Sequence, residues 1–366
     1  MQQFVDSGTA SGFVTLVAIH GHIVRLDAIG YLDREAKTQM RTDSIFRIKS
    51  MTKPMTAAGI MILVDEGKMS LLDPVEQYLP EFKGLMLSAC GAPHQDQPTC
   101  DKSPIRPSRQ ITVRDLLTHT SGLVDLTSEP ASHPSSLAEE VAAGAHVQLI
   151  AEPGTAWHYT NIGYQTLGRL IEVVSGQPYD AFMHERLFKP LEMTDTSFFI
   201  PESKKNRLAA LYAADKTGHL QPEKQQSGEN TGTRIPEPEG GLYSTAIDQL
   251  HFYQLLMNRG MFQGKRILSV PAVEAITSNQ TGAMPGVEFS PGLGMGFGFG
   301  VVKEAIGTFR YQSIGTFMKG GAYRTLAWGD PLRDLIGIIM YQRTNGGGDM
   351  AAETTAFVTM AEAAVQ

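Results

Sequence analysis

An α+β fold is predicted for this chain: an antiparallel sheet built from both chain ends and flanked by helices, with a mostly helical lobe between those ends. Three observations carry that expectation. Residues 13–19 and 23–31 are β-rich runs on either side of His20-Gly21-His22, the pattern of a hairpin. The last quarter has strand-like runs at about 308–314, 323–328 and 335–342, then an amphipathic stretch from Met350, which reads as a meander followed by a helix. The middle is dominated by Met-, Leu- and Ala-rich segments with helix start and stop residues. The N-terminal hairpin can add to the meander in one sheet. Residues 1–48 and 285–366 then form the sheet-bearing lobe, and residues 49–284 the helical one, with polar excursions at 84–109 and 201–239.

Each helical expectation rests on its own punctuation. Residues 51–66 are apolar and close at Gly67, a residue suited to the left-handed stop. Pro54 fits only the first turn, where its missing N–H costs nothing, so the helix begins near Ser50. Residues 111–119 form a short helix capped by Thr112 and ended near Ser121-Gly122. A longer one runs over 162–174 and stops at Ser175-Gly176, and another runs to about Asn258 after a cap at Ser244 or Thr245. Residues 276–280 end a further helix. Residues 201–239 are polar and Pro/Gly-interrupted, hence a long surface loop or a pair of weak strands. In residues 292–300 glycine alternates with large apolar residues. That is a period-two strand with one bare face; the strand–turn–helix context of a dinucleotide loop is missing.

Composition narrows the function classes. A chain of 366 residues with 42% apolar content can bury a large core, as an ordinary soluble globular protein does. Its formal net charge of -7 and the lack of a basic run supply no phosphate-neutralising footprint, so nucleic acid is not an expected partner. No apolar stretch is long enough to span a bilayer. The start, Met-Gln-Gln-Phe-Val-Asp, lacks the regions of a secretory signal, so a cytoplasmic location is the default expectation; a chain whose signal had been removed, periplasmic or secreted, would look the same. Cys90 and Cys100 share one polar segment where a local disulfide can form in an oxidising compartment, and reduced thiols are the expected state. The scattered histidines show no metal-ligand spacing, so neither a metal nor a cofactor is expected.

The chemistry concentrates at residues 46–55. Ser50 is followed three positions later by Lys53, and if a helix starts at the serine, one turn stacks hydroxyl and amine on the same face. An alcohol needs a group to take its proton, and a lysine whose pKa is lowered by burial or nearby charge can do so. A polar helix start gives the same spacing, since Ser is a favoured N-cap. Here the flanks are apolar, and no other serine has a lysine three residues on.

Two later stretches can join that pair. Tyr159 and Asn161, at spacing two, share one face of an extended piece and can point a phenol and an amide into one cleft, with His158 turned away. An isolated Tyr-x-Asn is equally a packed tyrosine with its hydroxyl hydrogen-bonded. At Lys319-Gly320-Gly321-Ala322, two glycines allow a substrate to come close to backbone N–H groups, and Lys319 adds positive charge; read alone, Lys-Gly-Gly is a turn. His119 is expected to be structural, because the chain has no Gly-x-Ser-x-Gly elbow to complete a Ser–His hydrolase.

Taken in this order, Ser50-x-x-Lys53, Tyr159-x-Asn161 and Lys319-Gly320-Gly321 resemble the three active-site motifs of the penicillin-recognising serine hydrolases, closest to the class C beta-lactamase-like branch that includes the family VIII carboxylesterases. Residues 116–123, 159–164 and 240–245 also look like segments of that family, so the resemblance covers nearly the whole chain. It implies the beta-lactamase/transpeptidase-like fold, with the site between sheet and helical lobe. It implies Ser50 as acylated nucleophile, Lys53 and Tyr159 as general base and acid, and Asn161 as holder of Lys53 and of the substrate. The backbone N–H groups of Ser50 and Ala322 would form the oxyanion hole, and Lys319, Gly320 and Gly321 would bind substrate. Beta-lactamases and transpeptidases carry Lys-Thr-Gly at the third motif, whereas many of the esterases carry Trp-Gly-Gly or His-Gly-Gly. The resemblance therefore implies a serine hydrolase of small or medium carboxylic esters. The alternatives are a beta-lactamase, a D-amino-acid peptidase or amidase, or an acyltransferase using the same acyl-enzyme, and last a sensor or scaffold that is acylated without turnover. The expected partner is a small-molecule ester or amide; the oligomeric state stays open.

Overall fold

A computed structural model of the chain describes all residues except 92–101, 126–133, 217, 224–234, 305–310, 346–350 and 366. Strands β1 (Gly12–Ile19) and β2 (His22–Asp33) form the expected hairpin. His20 and Gly21 both have positive φ, at 50° and 73°, the requirement of the tight turn that matches strand twist. The sheet gains β3 (Thr38–Gln39) near one end of the chain and, near the other, β4 (Leu293–Met295), β5 (Gly300–Val302), β6 (Phe317–Gly321), β7 (Thr325–Asp330) and β8 (Leu335–Met340). The order across its eight strands is β4-β5-β6-β7-β8-β1-β2-β3, every neighbouring pair antiparallel. The two chain ends thus meet where β1 pairs with β8, from Val14 opposite Met340 to Ile19 opposite Leu335.

Helices are α1 (Gln2–Asp6), α2 (Thr52–Asp65), α3 (Val113–Leu117), α4 (Leu137–Gly144), α5 (Ile162–Ser175), α6 (Tyr179–Met183), α7 (Ala246–Met257), α8 (Val270–Thr277) and α9 (Ala352–Ala363). Side chains alternate across the sheet and so build two cores. On one face Phe13, Val17, Trp328 and Ile339 pack with Phe357, Val358 and Ala361 of α9, and the Trp328 indole N–H donates to Glu362 at 2.6 Å. On the other face Val14, Leu16, Ala327, Ile338 and Met340 join the large core that α2, α5 and α7 share. There α7 packs directly on the sheet, with the Tyr253 hydroxyl donating to the Ala327 carbonyl at 2.8 Å. Among the described residues no helix is long and apolar enough to cross a membrane.

Several stop and start residues act as expected. Thr112 caps α3 in a capping box with Asp115, Thr245 caps α7, and Gly176 ends α5 with φ at 71°. Short strands Tyr212–Ala214 and Leu220–Pro222 pair within the polar excursion of residues 201–239.

Three expectations need correction. The strand expected at 308–314 is not where the sheet continues: residues 305–310 lie outside the described residues, and Tyr311 and Ile314 are exposed on an irregular turn. The strand begins after Gly315, at Phe317, where side chains alternate between buried and half-buried. Residues 292–300 form a hairpin of β4 and β5 rather than one strand. Gly298 turns it with φ at 82°, and a Cβ there would sit 2.8 Å from Pro54 Cα, so the bare residue lets the turn rest on the first turn of α2. Met295, Phe297 and Phe299 are all buried, which is why periodicity alone misread the stretch. Cys90, expected as a thiol, is disulfide-bonded; the chain's other cysteine, Cys100, lies outside the described residues.

Candidate active site

Ser50 sits in a single 3-10 turn, Lys49–Met51, that feeds straight into α2. The helix therefore starts one residue later than an N-cap at Ser50 places it, while Pro54 remains in the first turn. Lys49 has φ at 46°, a left-handed backbone that a non-glycine residue adopts rarely and at some cost. The strand pair Phe46–Arg47 with Tyr243–Ser244 anchors the chain just before this turn. Lys53 is fully buried, and its ammonium donates to three acceptors: Asn161 Oδ1 and the Glu239 carbonyl, both at 2.9 Å, and Ser50 Oγ at 3.4 Å. A buried cation needs such pairing.

Tyr159 makes the shorter contact with the serine. Its hydroxyl donates to Ser50 Oγ at 2.8 Å. The ring stacks on His119, centroids 4.6 Å apart, and lies 4.7 Å from Lys53 Nζ and 4.9 Å from Lys319 Nζ. Burial pushes the phenol pKa up, but the charges of Lys319 and Lys53, with hydrogen bonding to Lys53 and Ser50, outweigh it and leave the phenol below its ordinary value. His119 is buried, its Nδ1 accepts from the Thr160 N–H at 3.3 Å, and burial followed by the charges of Lys319, Lys53 and His158 holds its pKa well below the usual imidazole range. A neutral ring thus supports the phenol face, and His158 is exposed.

Asn161 is the N-cap residue of α5, yet its side chain makes no cap bond. Asp125 takes that task from a distant loop: its Oδ1 accepts from the N–H groups of Asn161 at 2.7 Å and Ile162 at 2.9 Å. The carboxylate also suits the positive end of the helix. The Asn161 amide oxygen is thereby left for Lys53.

Lys319, Gly320 and Gly321 lie on β6, not on a turn, and Ala322 follows on the exposed turn after it. Gly321 is pressed against the residues before the serine: a Cβ there would stand 2.2 Å from the Ile48 carbonyl oxygen and 2.6 Å from Thr325 Oγ1. Thr325 Oγ1 itself donates to that carbonyl at 3.3 Å. Lys319 is buried and ion-paired to Glu288, Nζ to Oε1 at 2.6 Å.

The fold thus brings Ser50, Lys53, Tyr159 and Asn161 into one hydrogen-bonded cluster, sets Lys319 over the Tyr159 ring, and lays Gly321 against the Ile48–Lys49 backbone. Glu288, Asp125 and the stacked position of His119 were not found from sequence. Glu288 left one faint signal, a lone acid within a stretch of Gly, Pro and apolar residues; Asp125 left none. Chemically, a hydroxyl beside a phenol flanked by two lysines is equipped to lose its proton and attack an electrophilic carbon.

The chain is similar to known proteins over most of its length. The family model described as Beta-lactamase matches residues 1–358. Protein Rv1367c of Mycobacterium tuberculosis (strain ATCC 25618 / H37Rv) is 33% identical over 364 residues, covering 93% of this chain and 88% of that protein. Esterase EstB of Burkholderia gladioli is 28% identical over 350 residues, covering 85% of this chain and 81% of the esterase. Among solved structures, EstCE1, described as a hydrolase with promiscuous acyltransferase activity, superposes with a TM-score of 0.80 at 25% identity, covering 99% of this chain and 96% of that one.

Proposed function

This chain belongs to the beta-lactamase family of serine hydrolases, and from that premise we propose that it is a carboxylesterase acting on small or medium acyl groups through an acyl-Ser50 intermediate. With Tyr159 ionised to the phenolate, Ser50 Oγ attacks the ester carbonyl carbon as its proton passes to Tyr159 Oη, and the negative charge moves to the carbonyl oxygen. Backbone N–H groups of Ser50 and Ala322 receive that oxyanion; one such donor is typically worth about 3 kcal/mol of transition-state stabilisation. Collapse breaks the bond to the alcohol, which leaves with the proton from Tyr159. Water then attacks acyl-Ser50, gives its proton to Tyr159, and the carboxylic acid departs as Ser50 Oγ is reprotonated. Lys53 shares this proton traffic and, with Lys319, favours the phenolate; Asn161 keeps Lys53 in place.

The observation that carries this reading is the 2.8 Å contact of Tyr159 with Ser50, held between two lysines. Lys319-Gly320-Gly321, with glycine where beta-lactamases have threonine, and the likeness to EstB support an ester over a lactam. Transfer of the acyl group to an alcohol instead of water is a second reading, supported by the likeness to EstCE1. p-Nitrophenyl acetate and butyrate, given to wild type and Ser50→Ala, test the first: turnover by wild type that collapses in the variant is expected, and equal rates contradict it. Ester products on adding a short alcohol test the second.

A further inference from the structure

The ion pair of Lys319 with Glu288 lies inside the catalytic cluster, and the reaction proposed above makes no use of its carboxylate. The Nζ–Oε1 distance is 2.6 Å, and the two side chains are 4% and 14% exposed, so the pair is largely withdrawn from water. Lys319 Nζ in turn stands 4.9 Å from the centroid of the Tyr159 ring, whose hydroxyl touches Ser50. The cation that an anionic substrate would seek is therefore already engaged by a carboxylate of the chain.

The local fold is arranged around this carboxylate. Glu288 has a left-handed backbone, φ 49° and ψ 31°, between Gly286 and β4, a conformation unfavourable for a residue with a Cβ. Val287, fully buried, fixes the short turn. Opposite it Gly300 on β5 is bare, and a Cβ there would stand 3.2 Å from Glu288 Cγ, so the glycine leaves space for the stem of the glutamate.

We infer that Glu288 is the built-in counter-ion of Lys319 and reserves the site for uncharged acyl donors. A donor whose acyl chain ends in a carboxylate must displace Glu288 to reach Lys319, and so strands a shielded carboxylate without a cation. If it does not displace Glu288, two carboxylates share one lysine. An uncharged chain meets neither cost. The selectivity comes from penalising the wrong substrate, not from an added contact to the right one. This inference rests on the esterase reading and narrows its substrate class.

The test compares p-nitrophenyl butyrate with the mono-p-nitrophenyl ester of glutaric acid, whose similar chain ends in a carboxylate. kcat/KM for each is read on wild type, Glu288→Gln and Glu288→Ala, the second neutral variant serving if the first does not fold. The ratio of glutarate to butyrate ester is expected to rise about tenfold or more in the variants, the scale on which unpairing a shielded charge changes recognition. A merely structural brace would slow both esters alike and leave the ratio unchanged, which overturns the inference while the esterase reading stands. If wild type releases p-nitrophenolate from neither ester, both fall together.

Discussion

Tyr159 Oη and Ser50 Oγ are 2.8 Å apart, closer than Ser50 Oγ and Lys53 Nζ at 3.4 Å, although the lysine is the serine's neighbour in sequence and the tyrosine is 109 residues away. The shorter path for the serine proton runs to the phenol, and Lys53 acts on both groups through its charge and its hydrogen bonds.

Tyr159→Phe removes that path and keeps the ring that stacks on His119. kcat/KM for p-nitrophenyl butyrate is expected to fall about 10²–10⁴-fold, the usual contribution of a general acid or base. The melting temperature should move little, because one part-buried hydroxyl is lost and no apolar contact.

The rate should rise with pH as Tyr159 ionises. Burial raises the phenol pKa, and Lys319 and Lys53 more than reverse that, so the acid limb of kcat/KM falls below the ordinary tyrosine value of 10.0. Lys319→Met takes away a lowering influence and leaves Glu288 facing the ring region without its cation, and both changes push the pKa up. The acid limb is expected to move to higher pH in that variant. A pH–rate profile checks it.

Much of this arrangement is legible in the sequence. The Ser50–Lys53 spacing, the Thr112 and Thr245 caps, the stop at Gly176 and the His20-Gly21 hairpin are local features, set by backbone preferences within a few residues. Glu288, Asp125 and the His119 ring were hidden because each acts across the fold on a group far away in sequence, and periodicity reports which face is buried but not what it meets. Residues 292–300 show the limit plainly: Met295, Phe297 and Phe299 are buried as a strand would bury one face, yet Gly298 bends the segment onto α2.

Two carboxylic acids beside the site give the stability a pH dependence. The Gln165 side-chain amide bridges Glu140 Oε1 at 2.6 Å and Glu239 Oε1 at 3.0 Å. Burial, then the charges of Glu239 and Glu237, pushes Glu140 up from 4.5 to about 8. Burial and Glu237 push Glu239 to about 7. A raised acid binds a proton in the folded state that the unfolded chain has already lost. Stability therefore declines from about pH 4.5 to about pH 8, the window between the two values for Glu140. Glu140→Gln keeps an acceptor for Gln165 and cannot ionise. It should melt about 2 °C or more above wild type at pH 8 and together with wild type at pH 4.5, as thermal melts at the two pH values would read.

Gly321→Ala tests the seam between β6 and the turn of Ser50. The added Cβ would meet the Ile48 carbonyl oxygen at 2.2 Å, a backbone atom that cannot rotate away. Overpacking of this kind costs about 1–3 kcal/mol. Displacing the turn should also lower kcat more than it raises KM, since the nucleophile moves and the lysines stay. Chemical denaturation and steady-state kinetics on the same preparation separate the two effects.

Every step of the proposed reaction passes through an acyl group carried on Ser50. Rapid acid quench of wild type with p-nitrophenyl butyrate, followed by intact-mass measurement and peptide mapping, tests it most directly. The expected result is a butyryl adduct on Ser50 that forms faster than it decays, is absent from Ser50→Ala, and accumulates far more slowly in Tyr159→Phe. An adduct on another residue, or undiminished p-nitrophenolate release by Ser50→Ala, would contradict it.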